Sequence, residues 1–414
     1  MEARKNKLFT LLVGALVALA WLSHSTRAQA YPWMIRHDYT GCVPCHADPS
    51  GGGLLTEYGR AQGETLLRTH YGAAPEEAGK AAEFLFGAVS LPEWLLLGGD
   101  AREAALYVKP QGQPAINDTF LMQADFEAQA SLGRVRANVS VGFAQVGAFA
   151  AAITEGSKNN VVSRVHWLGV DLGTDNQLLL RAGRLNVPFG LRSVEHVAWT
   201  RVYTHTDSND NQQDGAAFSW NVDHFRGEVM GIAGNFQERP DAFRERGYSG
   251  YVEWDPTTNV AIGASSLVAH SNVGVDPNGV VLSGDLLRQA HGAFVRYAPV
   301  KPLVLSTEDD FLFDAQPATN DNAALNFPGF VGQAEADLEI VQGVHVAAIG
   351  ELLDKRSDLP VLGNTKPWFR GWGFVNWFFA PHADVRFDAI YESDAQGGQR
   401  FAVITLLAQL HVYL

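Results

Sequence analysis

From Trp94 to the chain end, apolar residues recur at every second position, a period that commits this region to β-strands with two unlike faces. In FLMQADFEAQAS, Met122, Ala124, Phe126, Ala128 and Ala130 share one face, and Gln123, Asp125, Glu127, Gln129 and Ser131 share the other. After a turn, Val135, Ala137, Val139, Val141 and Phe143 alternate with Arg136, Asn138, Ser140 and Gly142, so the two segments read as one long hairpin. The alternation returns in FRGEVMGIAGNF, GYSGYVEWDP, GFVGQAEADLEIVQG, GVHVAAIGELLD and HADVRFDAIYES. Roughly sixteen such segments follow one another with loops of alternating length. No identical repeat recurs, which argues against a propeller or solenoid.

Which face turns inward decides the fold class. In a soluble sandwich the apolar faces meet in a core of large side chains. Here the apolar face is rich in Ala, Val and Gly, while the polar face carries Glu, Asp, Arg and Gln in bulk. That suits a membrane barrel with apolar residues toward lipid and polar ones toward a wet lumen. The last segment, FAVITLLAQLHVYL, sets Ala402, Ile404, Leu406, Ala408, Leu410, Val412 and Leu414 on one face and ends on the strand itself. It resembles the closing strand of bacterial outer-membrane proteins, with Leu414 where those usually carry an aromatic residue. RAGRLNVPFGLR resembles a strand-turn segment of porin-like barrels, with Pro188 and Gly190 at the turn. Trp167, Trp254, Trp368 and Trp377 lie near segment ends and suit interfacial girdles, with ordinary packing the alternative for half of them.

The expected fold is therefore all-β: a transmembrane antiparallel β-barrel of about 16 strands over residues 93–414, preceded by a small, mainly helical domain over residues 31–92. Within that domain PEEAGKAAEFLFGAV reads as one short helix starting at Pro75. Residues 1–30 read as a signal peptide: Arg4, Lys5 and Lys7 precede an apolar run from Leu8 to Leu22, and Ala28-Gln29-Ala30 supplies a cleavage site before Tyr31. The alternative, an uncleaved anchor, meets a run short of the roughly 20 residues a span needs. The formal net charge is -14; the first 30 residues hold four basic and one acidic side chain, so -14 less +3 leaves -17 beyond them. Such a balance argues against nucleic acid and favours cationic partners.

The chain has two cysteines, and they stand three positions apart in Cys42-Val43-Pro44-Cys45-His46. Cys-x-x-Cys-His is the spacing for covalent attachment of one c-type haem. Two thiols on one turn add to the porphyrin vinyl groups, and the next residue presents an imidazole to the iron. A simple disulfide and a thioredoxin-like redox pair compete with this reading. The redox pair needs a βαβ setting that Tyr31–Gly41 is too short to provide, and a structural zinc site needs ligands that no further Cys supplies. His46 is the expected proximal ligand of the haem iron. For the distal position His70 ranks first and Met34 second, with His37 a surface residue.

Two acidic stretches, THTDSNDNQQDG and STEDDFLFD, read as loops able to draw a cation toward the site. In the first, Asp207, Asn209 and Asn211 alternate as in a calcium loop, but Gln212 replaces the expected Gly and Phe218 stands at the twelfth position. A solvated extracellular loop is the plainer reading. His166, His345 and His411 fall on strand faces as lumen residues or girdle neighbours. PSGGGLLT lacks the Lys-Ser/Thr of a phosphate-binding loop.

Haem motif and barrel together resemble the fused monohaem cytochrome c-porin family of outer-membrane electron-transfer proteins, which includes iron oxidases. In that family Cys-x-x-Cys-His is followed by a Pro, a Leu and an aromatic-Gly pair; Pro49, Leu55 and Tyr58-Gly59 stand in those places here. Gly51-Gly52-Gly53 departs from the iron-oxidase pattern, and the stretch from Met34 to Arg60 is more similar to uncharacterised monohaem-barrel proteins. The resemblance implies an outer-membrane location, with the haem domain in the periplasm or inside the lumen, and electron exchange between an extracellular donor or acceptor, Fe(II) among them, and periplasmic cytochromes or other carriers. As an enzyme the chain would be an Fe(II)-oxidising oxidoreductase. Two other functions compete: a diffusion porin whose haem domain senses redox state or gates the channel, and a soluble secreted haem protein with a β-sandwich body. A domain of residues 31–92 is the right size for a lumen plug, and insertion is the favoured geometry over a domain hanging at one mouth.

Overall fold

The structure is a computed structural model describing residues 31–71, 79–145, 160–173, 177–193, 195, 197–238, 241–275, 281–282, 284–317, 324–355, 367–396 and 399–414. The expected signal peptide lies outside the described residues. The strands are β1 (Leu95–Pro110), β2 (Ile116–Leu132), β3 (Val135–Ala144), β4 (Asn160–Val162 continued by His166–Asp171), β5 (Leu178–Leu185), β6 (Gln213–Val222), β7 (Phe225–Gly234) and β8 (Arg246–Thr257). They continue as β9 (Val260–Ser271), β10 (Leu286–Val300), β11 (Leu303–Gln316), β12 (Leu325–Val341), β13 (Val344–Lys355), β14 (Trp368–Ala380), β15 (Ala383–Gln396) and β16 (Gln399–Tyr413). Each pairs antiparallel with the next, and β16 pairs with β1 from Asp100↔Tyr413 to Pro110↔Val403. The described residues thus form a closed barrel of sixteen strands, and the final segment is its closing strand. Closure leaves no open sheet edge, which a lipid-embedded sheet requires. The one break, inside β4, is mended from β3: Ser140 Oγ accepts the Arg164 and Val165 amides at 3.1 and 2.9 Å.

The barrel is inside out relative to a soluble sandwich. Phe126, Val139 and Val141 are 47, 50 and 48% exposed, whereas Glu127, Asn138 and Ser140 are 9, 6 and 3% exposed. On β16, Ile404, Leu406, Leu410 and Val412 face outward and His411 is buried. A soluble β-sandwich body is therefore excluded, and a closed barrel with an apolar exterior belongs in the outer membrane. Of the four tryptophans, Trp254 and Trp377 are exposed near the short-turn rim, as a girdle requires. Trp167 is buried under Arg181, and Trp368 packs on Trp199 with ring centroids 6.4 Å apart.

Two segments fill the lumen. Short turns join β2 to β3, β6 to β7, β8 to β9, β10 to β11, β12 to β13 and β14 to β15, and they mark the periplasmic mouth of an outer-membrane barrel. From that mouth, residues 31–71 enter the lumen. A 3-10 turn, Pro32–His37, packs Trp33, Met34 and Ile35 with Leu67 against Ala261, Ala298, Val304 and Phe378 of the wall. From the long-loop side, the described residues of the stretch 186–212 fold inward and carry a short helix, α2 (Trp199–Thr204), while α1 (Glu57–Gln62) lies in the periplasmic segment. Val187, Phe189 and Trp199 cluster with Leu267, Ala290, Leu312, Val331 and Leu353. The chain turns at Pro188 and Gly190 as expected, and the structure adds that the turn leads into the lumen; Gly190 has φ +56, and a side chain there would collide with Glu308.

Two local expectations fail. Residues 75–78 of the expected helix lie outside the described residues, and the rest is two 3-10 turns, Gly79–Ala82 and Phe84–Gly87, with Leu85 and Phe86 at φ 50 and 56. The side chains explain the break: Phe84 lies under Arg60 and Phe86 stacks on His382. Two residues apart on a helix they would point in nearly opposite directions. STEDDFLFD is not a loop but the middle of β11, its Ser306, Glu308 and Asp310 buried toward the lumen and Phe311 and Phe313 exposed to lipid. Glu308 and Asp310 share the lumen face while Asp309 between them faces outward, a period that the acidic composition concealed.

Candidate functional site: the Cys-x-x-Cys-His hairpin in the lumen

Cys42 to His46 forms one tight turn: the Cys45 and His46 amides donate to the Cys42 carbonyl at 3.2 and 3.1 Å. Residues 45–47 then pair with 54–56, through Ala47 N–H to Leu54 O at 2.9 Å and Thr56 N–H to Cys45 O at 3.0 Å, with His46 opposite Leu55. Gly51, Gly52 and Gly53 close this small hairpin at φ 86, 81 and 61. Three successive left-handed residues are available only to glycine, so the departure from the iron-oxidase pattern has a local backbone cause. Thr56 caps α1 by accepting the Gly59 amide at 3.0 Å. At Gly59 a Cβ would collide with the Cys45 carbonyl, so the Tyr58-Gly59 pair lets α1 press directly on the cysteine turn.

Both thiols are buried and unbridged. Burial, aided by Cys42, pushes the Cys45 thiol up to about 12, the opposite of what a thioredoxin-like nucleophile requires. Arg226 donates to Cys42 Sγ at 3.2 Å while forming a two-pronged pair with Glu253 at 2.8 and 2.9 Å. The imidazole of His46 is buried, and burial lowers it to about 4 against the upward pull of the Gly52 carbonyl and Asp48. Its Nδ1 lies 3.0 Å from the Gly52 carbonyl oxygen. A carbonyl only accepts, so Nδ1 carries the proton and Nε2 keeps its lone pair. That Nε2 is buried with no hydrogen-bond partner. A neutral imidazole with one nitrogen fixed on a carbonyl and the other free is the arrangement of a metal-ligating histidine.

The barrel wall holds this hairpin in place. Glu127 on β2 accepts the Leu54 amide at 3.1 Å and crowds Gly53. Arg181 on β5 bridges Asp48 at 3.0 Å and Glu228 at 2.6 Å. Arg192 of the inward loop donates to Ser50 Oγ at 2.9 Å, and Ser50 in turn donates to Asp48 at 2.6 Å. Burial raises the Asp48 carboxyl, but Arg181, Arg192 and Ser50 outweigh it and hold the group below its ordinary value. Arg181 and Arg192 begin and end the strand-turn segment RAGRLNVPFGLR, which gave no sign of their hold on the hairpin, and Glu127 was visible only as one polar position among five on its strand.

Met34 is buried in the apolar cluster at the periplasmic mouth. His70 follows Thr69, whose amide donates to Phe378 O at 2.9 Å, and both its ring nitrogens are buried without a hydrogen-bond partner. His37 lies 3.5 Å from Glu339. His345 and His411 are buried lumen residues, the latter 2.9 Å from both Asp384 and Asp100, and His166 is exposed. The Asp207 stretch is not fully solvated: Asp207 accepts the Asn209 amide at 2.9 Å, and Arg164 holds Asn209 at 2.8 Å. Gln212 is completely buried.

With this geometry in hand, the relatives are instructive. The fold is the porin barrel. OmpT of Vibrio cholerae matches with a TM-score of 0.57 at 11% identity, over 79% of this chain and 100% of that one. The outer-membrane channel DcaP of Acinetobacter baumannii matches at 0.56 and 10%, over 77% and 97%, and the anion-selective porin of Comamonas acidovorans at 0.55 and 12%, over 77% and 99%. Neither a protein-family model nor a curated protein matches the chain.

Proposed function

We propose that this porin-like barrel is an outer-membrane electron-transfer protein whose residues 31–92 carry one covalently bound haem c. The observation that carries the reading is His46: a neutral, buried imidazole with a free Nε2, one residue beyond a paired thiol turn, inside the lumen. Cys42 and Cys45 would hold the porphyrin by thioethers and His46 would ligate the iron, with His70 or Met34 on the distal side. The group supplies one-electron transfer when bound. The chain's own residues do the rest: the Gly52 carbonyl fixes the His46 tautomer, Glu127, Arg181 and Arg192 fix the hairpin, and the apolar cluster at Trp33 and Phe378 shields the periplasmic side from water. The partners in this reading are periplasmic cytochromes or other carriers on one side and an extracellular redox species, Fe(II) being the first to test, on the other. The similarity to fused cytochrome-porins supports it.

The test is expression with haem-maturation machinery, followed by mass and optical spectra of the outer-membrane protein. A chain heavier by one haem and a c-type spectrum are expected, both lost in the Cys42→Ala, Cys45→Ala double variant, while the barrel persists. Reduction of the spectrum by added Fe(II) then supports an outward-facing route; reduction by dithionite alone leaves electron transfer standing with other partners. A second reading, a diffusion porin with a redox-sensing plug, draws support from the porin-like fold, and ion conductance in bilayers that changes with haem redox state would favour it.

A further inference from the structure

The lipid-facing surface of β8 to β11 carries a polar line. Outward positions on β11 read Leu305, Thr307, Asp309, Phe311 and Phe313, and Leu305 and both phenylalanines are exposed hydrophobics. Asp309, exposed as well, therefore sits within the apolar band and not at its edge. Among the described residues its carboxylate has one long hydrogen bond, accepted from Thr307 Oγ1 at 3.4 Å. On β10, His291 turns outward; its Nδ1 is 3.0 Å from Ser266 Oγ on β9, which is 3.1 Å from the Tyr248 hydroxyl on β8. Lipid tails offer these groups no hydrogen bond, and a charge on the lipid face of a barrel is destabilising.

We propose that this face is an interface with a second copy of the chain, in which His291 of each copy meets Asp309 of the other. The patch contains its own complement. Asp309 pairs in register with Ala293, two residues from His291, so the two residues are diagonal neighbours whose backbone positions lie about 7–8 Å apart. A two-fold axis passing between them sets both His–Asp pairs at once, the self-complementarity that a two-fold dimer demands. The register neighbours of Asp309 are Ala293 and Gly332, a low floor that lets two sheets approach closely. Nδ1 of His291 is engaged by Ser266, which leaves Nε2 for the partner. Phe311 and Phe330, with ring centroids 5.4 Å apart, flank the polar centre with apolar surface.

The test uses the full-length protein from outer membranes, by sedimentation in mild detergent and by energy transfer between differently labelled copies in phosphatidylcholine vesicles. Twice the chain mass and measurable transfer are expected. Asp309→Leu and His291→Leu should each weaken self-association at least tenfold, and exchanging the two residues should restore it, because the exchange preserves the complement. The leucine variants place apolar groups against lipid and so keep the barrel intact. A monomer in both assays, occupancy of the face by lipid or another protein alone, or an oligomer that survives both leucine variants overturns the proposal.

Discussion

The two segments that fill the lumen enter from opposite mouths and are held by the same kind of bond, yet they differ in what they leave free. In the inward loop, the Trp199 amide donates to Glu351 at 2.6 Å, Thr200 bonds Gln333 at 3.1 Å, and Arg201 pairs with Glu308 while donating to Phe189 O at 2.9 Å and Thr206 at 3.0 Å. Its apolar side chains complete a buried cluster with five strands. The periplasmic segment is pinned as firmly, with Arg36 against Asp337 and Arg181 against Asp48, but it retains buried imidazole nitrogens without partners at His46 and His70. Buried polar atoms without partners are uncommon because leaving them so costs free energy. The loop leaves Ser193 Oγ, Arg201 Nε and Gln212 Oε1 buried without partners, but of the two segments' described residues only the periplasmic ones leave imidazole nitrogens so, and that is where ligating capacity is held in reserve.

The sharpest way to break this contrast is to attack the loop. Arg201→Ala should strand Glu308 in a buried site and destabilise the fold by about 3–5 kcal/mol, read as a lower denaturant midpoint. A change no larger than that of a surface pair would mean the loop is not part of the rigid body. Glu127→Ala acts on the other segment alone: the Leu54 amide loses its acceptor, about 1–3 kcal/mol of local stability. Proteolysis within residues 48–54 should accelerate while the barrel midpoint stays, and Glu127→Gln, which can still accept, should do less. Equal loss of barrel stability would show that the hairpin and wall unfold as one.

The smallest effect concerns pH. Burial raises the Asp207 carboxyl from 3.8 to about 7, with Asp210 adding to the rise and the Asn209 amide opposing it. Between these values the folded loop holds a proton that the unfolded chain has released, so stability present below about pH 4 is lost as pH climbs through about 7. Protection of the loop from protease should fall across that window, and Asp207→Asn should flatten the profile. An unchanged slope in the variant would place the titrating group elsewhere.

Much of this was legible in the residues because β-structure writes its faces into every second position. Phe126 against Glu127 and Val139 against Asn138 declared two unlike faces, the closing strand favoured lipid on the apolar one, and Cys42, Cys45 and His46 declared a local turn, since these signals span only a few residues. STEDDFLFD misled because acidic composition was weighed before its period, and the broken helix at Leu85–Phe86 depends on Arg60 and His382, which no local pattern reveals.

The sequence by itself determined the strands, their two faces, the turn at Pro188 and Gly190 and the spacing of the thiol-imidazole turn, all of which follow from backbone sterics and spacing along the chain. Only the tertiary structure decided that residues 31–71 occupy the lumen, that Glu127, Arg181 and Arg192 grip the His46 hairpin, and that Asp309 and His291 share one lipid-facing patch. Those contacts join residues tens to hundreds of positions apart, and closure of the barrel, which alone fixes which strands are neighbours, brings them together.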